Sequence, residues 1–139
     1  MTEQDKQLLL KDLCGRLPYG VKCLYFDAEG NKRIDLLNAV FPNDGRILVG
    51  KCSIDYADSD IIGVIPYLFP LSSMNEEQKE ELVRKRLGYY QVFEGVGRRF
   101  FFERGYEVYE WLNEHHFDYR GLIEKSLALD ATNLNIYRR

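Results

Sequence analysis

His115 and His116, the only two histidines of the chain, stand between Glu114 and Asp118. Imidazole beside carboxylate is the pairing used to move protons near neutral pH and, with a bound ion, to hydrolyse esters and phosphodiesters. Asp118 follows His115 at i+3. Neighbouring helical positions diverge by about 100°, so the two rings do not readily share one metal, whereas helical metal ligands are usually spaced i, i+4. Chemistry at this point would be metal-assisted hydrolysis or nuclease action by His115, His116 and Asp118. The simpler reading places the histidines at a helix C-terminus, where an imidazolium complements the dipole.

The same stretch carries the sole tryptophan, Trp111, with Phe117, Tyr119 and Arg120 close behind. Trp, Tyr and Arg are the side chains that dominate protein interfaces. These four are the expected contact residues of a protein that works by docking. The structural alternative is that Trp111 and Phe117 anchor a last helix to the core.

Elsewhere the candidate chemistry is thinner. Gly95 to Arg104 interleaves Arg98, Arg99 and Arg104 with Phe100, Phe101 and Phe102, the composition of a single-strand nucleic-acid platform in which rings stack on bases and cations follow phosphates. Gly95 and Gly97 do not complete G-x-G-x-x-G, because Phe100 stands at the next glycine position. A buried strand with arginines at its exposed start explains the pattern more simply. Asp55, Asp58 and Asp60 cluster, but Ala57, Ser59 and Pro66 stand where a calcium loop needs oxygen ligands. Cys23 and Cys52 have no histidine near in sequence to generate a thiolate, and buried small hydrophobes are the default reading. Ser72-Ser73 lacks a nucleophile elbow. No cofactor motif is present, and none is expected.

The elements that must position these groups read as follows. Thr2 and Asp5 resemble a capping box opening a helix over Glu3 to Cys14, with Leu8, Leu9 and Leu13 on one face and Gly15 and Pro18 as the stop. Tyr19 to Phe26 is strand-like. Asp27 to Asn31 turns, and Lys32 to Val40 is the returning arm, although Leu-Leu-Asn-Ala leaves a helical turn open. Pro42 to Gly45 turns again, Arg46 to Ile54 is one strand, Asp55 to Asp60 an acidic loop, and Ile61 to Leu68 extended, with Pro66 placing it at an edge or a strand end. Ser73 caps a helix with Glu76 as its reciprocal partner and Gly88 as its end. Tyr89 to Phe102 reads as strand or irregular structure. Tyr106 to His115 is a short helix, Phe117 to Gly121 a turn, Leu122 to Leu129 a helix or strand, and Thr132 to Arg139 a mobile polar tail. Strands and helices that do not alternate give a single α+β domain over residues 1–139: a small, mostly antiparallel sheet with about three helices.

Bulk properties narrow the class of function. With 139 residues the chain can bury a core without a disulfide or a metal. A net charge of −3 gives no global attraction to nucleic acid or to an anionic membrane. No apolar run reaches the ~18 residues of a membrane span, and the polar, acidic start is unlike a secretory signal. Three cysteines without a C-x-x-C pair read as reduced thiols of a cytoplasmic protein. Ten tyrosines supply amphipathic contact area suited to half-buried and interfacial positions.

Three blocks, Leu17 to Cys23, Pro66 to Met74 and Trp111 to Ile123, resemble a family of short uncharacterised proteins from Bacteroides-type gut bacteria and their phages or prophages. That resemblance implies an intracellular protein of a bacterial or mobile-element setting and brings no activity, cofactor or site residue with it. The leading expectation is a non-catalytic accessory protein with a protein partner, with the hydrolase and the nucleic-acid-binding readings as alternatives.

Overall fold

In the computed structural model of the chain, residues 1–57, 62–84 and 107–137 are described. Helix α1 spans Glu3–Arg16 and opens on the expected capping box: the Thr2 hydroxyl accepts from the Asp5 amide at 3.0 Å, and the Asp5 carboxylate accepts from Thr2 N. It runs two residues beyond the expected stop, through Gly15, because Arg16 is needed in the interior. A 3-10 turn, Leu17–Tyr19, follows with Pro18 in its first positions, and Gly20 leaves it at a φ of 71°.

The strands are β1 Lys22–Phe26, β2 Lys32–Phe41, β3 Arg46–Val49, β4 Cys52–Asp55, β5 Val64–Pro70, β6 Phe117–Asp118 and β7 Leu129–Asp130. They form one sheet in the order β4-β3-β2-β1-β5-β6, with β7 also pairing β5. The pairs from β4 to β5 are antiparallel, and β6 and β7 lie parallel to β5. Helix α2 is Glu76–Arg84, and residues 107–114 form a third helix, α3. Among the described residues this is the α+β fold of three helices on a mostly antiparallel sheet.

Several local expectations are corrected. Arg46 to Ile54 is a hairpin of two strands, because Gly50 takes a φ of 57° and turns the chain between Val49 and Cys52. The helical alternative for the middle of β2 is not adopted. Its strand instead carries an irregularity between Leu37 and Ala39, and that irregularity lets Leu37 and Val40, three residues apart, face the same core. Pro66 lies inside β5, tolerated because β6 and β7 pair only from Tyr67 onward. Ser73 does not cap α2. Its hydroxyl donates to Pro70 O, closing a 3-10 turn over Leu71–Ser73, and Asn75 and Gln78 form the reciprocal box two residues later. Phe117 to Gly121 opens with β6, and Leu122 to Leu129 is mainly turns before β7. Gly88 and Tyr89 to Phe102 lie outside the described residues.

Each face of the sheet builds its own core. On one, Val21, Cys23, Tyr25, Leu37, Ile47, Val49, Val64 and Leu68 pack against Leu9 and Leu13 of α1 and against Leu122, Leu127 and Ala128. On the other, Leu24, Tyr67 and Phe69 pack against Leu82 of α2, Val108, Trp111 and Leu112 of α3, and Phe117. Among the described residues the second cover stops at Leu24 and Ile65, and Ile34 and Leu36 on the same face of β2 are exposed. Among the described residues no helix is long and apolar enough to cross a membrane.

Candidate functional site

The C-terminal stretch is held from α3. His115 ends its last turn, with its amide on Trp111 O, and His116 leaves at a φ of 62°, its amide on Asn113 O. That left-handed step ends the helix and turns the chain into β6, where His116 O accepts from Phe69 N at 2.8 Å. The two imidazoles diverge as helical spacing requires. His115 stacks on Trp111 at 4.2 Å, and His116 stacks on Tyr137 at 3.9 Å. His115 Nδ1 lies 2.9 Å from Trp111 O; a carbonyl can only accept, so Nδ1 donates the proton of that bond. Both rings line a cleft of about 260 Å³ with Glu77, Glu81 and Glu114.

Asp118 does not line that cleft. It is buried, and its two carboxylate oxygens accept from the Leu122 and Ile123 amides at 3.0 and 2.9 Å, fixing the turn after β6. The constellation His115, His116 and Asp118 is therefore split between two places. Among the described residues no group of three His, Cys, Asp or Glu side chains is arranged to hold a metal ion.

Trp111 and Phe117, expected as contact residues, are core residues. They are 2% and 0% exposed, with rings nearly parallel at 5.7 Å, so neither has surface to offer a partner. Tyr119 and Arg120 are half-buried in a polar network that reaches α1. Asp12 and Arg16 are fully buried. Arg16 Nε donates to Asp12 Oδ2 at 2.8 Å, and Arg16 Nη2 donates to Phe117 O at 2.6 Å. Arg120 Nε donates to Asp12 Oδ1 at 3.2 Å, and its Nη2 to the Tyr119 hydroxyl, which donates in turn to Asn113 Oδ1. Two guanidinium groups thus share one carboxylate. Arg16 Nη1 and Trp111 Nε1 are buried with no hydrogen-bond partner among the described residues. The network's role is to fasten α1 to the C-terminal segment. Asp12 and Arg16 at i, i+4 are its only sequence signal.

Of the remaining candidates, Cys14, Cys23, Cys52 and Asp55 lie among the described residues. Cys23 is buried against the sheet, and burial pushes its thiol far up, away from nucleophilic thiolate. Cys14 and Cys52 are free thiols as well, the former raised by partial burial. Asp55 accepts from the Ala57 amide, while Asp58, Asp60, Arg98, Arg99 and Arg104 lie outside the described residues.

Compared with protein-family models, with curated proteins and with solved structures, the chain finds no match.

What the sequence reading missed is a surface. Phe26, Ile34, Leu36 and Phe41 are 57, 46, 41 and 42% exposed. Register puts the first three on one sheet face: Ile34 is opposite Leu24, Leu36 opposite Lys22, and Phe26 opposite Lys32. Beyond the irregularity Phe41 returns to that face, opposite Arg46, whose guanidinium lies 5.3 Å from its ring. The alternation Ile34-Asp35-Leu36 signals a strand with one apolar face. The inference from it would have been inverted, since Asp35 is opposite the buried Cys23 and the apolar pair points to solvent.

Proposed function

We propose that this protein is a non-catalytic accessory protein that works by contact with a protein partner through the open face of β1 and β2. The cytoplasm of a bacterial or phage-associated setting is part of the proposal and rests on the sequence resemblance. The observation that carries the reading is the alignment of the exposed side chains Phe26, Ile34, Leu36 and Phe41 on one sheet face, with no cover among the described residues. Contiguous exposed apolar surface on a folded domain marks interaction sites. Aliphatic residues occupy its centre and aromatics its ends. Phe26 and Phe41 are about nine residue steps apart along the hairpin, roughly 30 Å. Stacking on single-stranded nucleic acid needs rings in succession, so this arrangement suits a protein surface better. The commitment of Asp118, Arg120 and His115 Nδ1 to internal hydrogen bonds also supports docking over catalysis.

The test is retention from native-host lysate on the wild-type chain and on Ile34→Lys/Leu36→Glu, with circular dichroism confirming that both are folded. A protein that the wild type retains and the variant loses is expected. Identical retention on both, or none on either, sinks the proposal. Salt-sensitive retention of nucleic acid in its place would favour the nucleic-acid reading.

A further inference from the structure

Of the tail expected over Thr132 to Arg139, the part described, to Tyr137, reaches back across the sheet. The β1–β5 ladder runs through Tyr25 opposite Val64, Leu24 opposite Ile65 and Cys23 opposite Pro66. One step further, Lys22 and Tyr67 would continue it. Instead the Tyr137 hydroxyl fills the gap: it accepts from Lys22 N at 2.7 Å and donates to Tyr67 O at 2.7 Å. A phenol from another segment thus replaces the last rung of a backbone ladder. Its ring is held between His116 at 3.9 Å and Phe69 at 5.7 Å, and Lys22 Nζ donates to Ile136 O at 2.6 Å.

Upstream of this anchor the segment is thinly attached. Ala131 N donates to Leu68 O beside β7. From Thr132 to Asn135 every residue is exposed, including Leu134, and the hydrogen bonds there are local, from Thr132 N to Asp130 Oδ1 and from Leu134 N to Ala131 O. Tyr137 also forms a wall of the cleft that holds His115, His116, Glu77, Glu81 and Glu114.

We propose that residues 132–137 are a displaceable strap, with Tyr137 as its latch, closing the histidine cleft. Three features carry this. The latch is one hydroxyl, bonded to Lys22 N and Tyr67 O, so a single group closes the end of the ladder. The strands it bridges keep their pairing from Cys23 onward without it. The strap packs only two side chains against the core, Ile136 and Tyr137, both in part, whereas core segments bury many, and segments with few buried contacts open locally well below the free energy of global unfolding. Opening would uncover the Phe69 and His116 rings and widen the cleft to its three carboxylates.

Native-state hydrogen exchange on the full chain tests the device. The Lys22 amide, protected by Tyr137, is expected to exchange at least ~100-fold faster than the Leu37 amide, which is bonded to Val21 O in the core. Its rate should also be insensitive to low denaturant, as local opening requires. Tyr137→Phe keeps the ring and removes the latch; it should speed Lys22 exchange a further ~10-fold or more, since both hydrogen bonds of the hydroxyl are lost, with Leu37 unchanged. Lys22 exchanging in step with Leu37, at the rate of global unfolding and with the same denaturant dependence, would overturn the proposal. That wild-type comparison stands even if the variant does not fold.

Discussion

Removing the Asp12 carboxylate should be among the most damaging single changes available to this chain. Asp12 and Arg16 are both fully buried, and Asp12 is the carboxylate that faces both Arg16 and Arg120. Asp12→Leu leaves Arg16 in the interior with Phe117 O as its remaining hydrogen-bond acceptor and its Nη1 still without one. Stranding one member of a buried pair costs about 3–5 kcal/mol. For a domain of this size that is a fall in Tm of about 10–20 °C. Arg120 adds little of this, because its side chain keeps 22% exposure and can turn to water. Arg16→Met strands the Asp12 charge against Arg120 alone and should cost less than Asp12→Leu. The double variant Asp12→Leu/Arg16→Met removes both buried charges and the orphaned Nη1. It gives up the bond to Phe117 O, so it should recover to within ~1–2 kcal/mol of wild type, a coupling of at least ~2 kcal/mol. Urea titration followed by the fluorescence of Trp111 measures all four states of the cycle. An Asp12→Leu cost below ~1 kcal/mol would refute the reasoning. So would a double variant whose loss equals the sum of the two singles.

Three further outcomes are expected. Gly45→Ala should destabilise by about 1–3 kcal/mol in the same assay, because Gly45 holds a φ of 66° and a Cβ there would come within 2.9 Å of the Ala57 backbone. The Asp27 carboxyl should titrate below the usual carboxylate range by NMR, held down first by the Arg33 guanidinium and then by the Asn31 and Glu29 amides, and Arg33→Gln should raise it. Its folded pKa is depressed, so this stabilisation is present above the ordinary value of 3.8 and is lost as pH falls through the folded value. At the alkaline end, burial raises the Tyr137 phenol above its ordinary value of 10.0, so its contribution is full below that value and is lost as pH rises through the folded one. Tyr137→Phe should therefore flatten the alkaline loss of stability followed by circular dichroism, although Tyr25, Tyr56 and Tyr67, raised in the same sense, keep part of it.

What was legible in the sequence was local. The Thr2–Asp5 box, the hairpin turn at Asp27 to Asn31 and the strands expected over Tyr19 to Phe26 and Lys32 to Val40 follow from side-chain chemistry within a few residues, and the structure contains them, although the first strand starts only at Lys22, after a 3-10 turn that takes in Tyr19. Ser73–Glu76 and Asn75–Gln78 have the same spacing, and sequence alone had no means to choose between them. The choice is made by the Ser73 hydroxyl, taken up by Pro70 O in a turn that must first leave β5. Strands β6 and β7 are two residues each, too short for any periodicity, and exist because β5 offers them a parallel edge. The assignment of Trp111 and Phe117 to an interface failed for a related reason. Their residue types suit a hot spot and a core equally, and only the cover of the second sheet face decides which. Tyr137 is a lone aromatic in a polar tail, but its donor and acceptor partners lie 115 and 70 residues away in sequence.

The two sheet faces explain why docking is the economical reading and also bound its strength. This chain buries Asp12, Arg16 and Asp118 and exposes Ile34 and Leu36, the reverse of the usual partition. The buried charges tie α1 and the C-terminal turns to the sheet, whereas Ile34 and Leu36 keep 46 and 41% of their surface in solvent. The open strip presents on the order of 300 Å² of apolar surface, the scale of the largest patch on an ordinary monomer. Covering it would contribute about 7–8 kcal/mol at ~25 cal/mol per Å². Association alone costs about 4–15 kcal/mol in lost freedom. The strip by itself therefore supports a transient contact at best. A stable complex needs more, and Lys32 and Arg46, on the same face beside Phe26 and Phe41, are groups placed to supply it by pairing with carboxylates of the partner, Arg46 in exchange for its exposed pairing with Asp44 at 3.5 Å. The specificity of such a complex would reside in those two cations, and its apolar centre would act as a largely unselective adhesive.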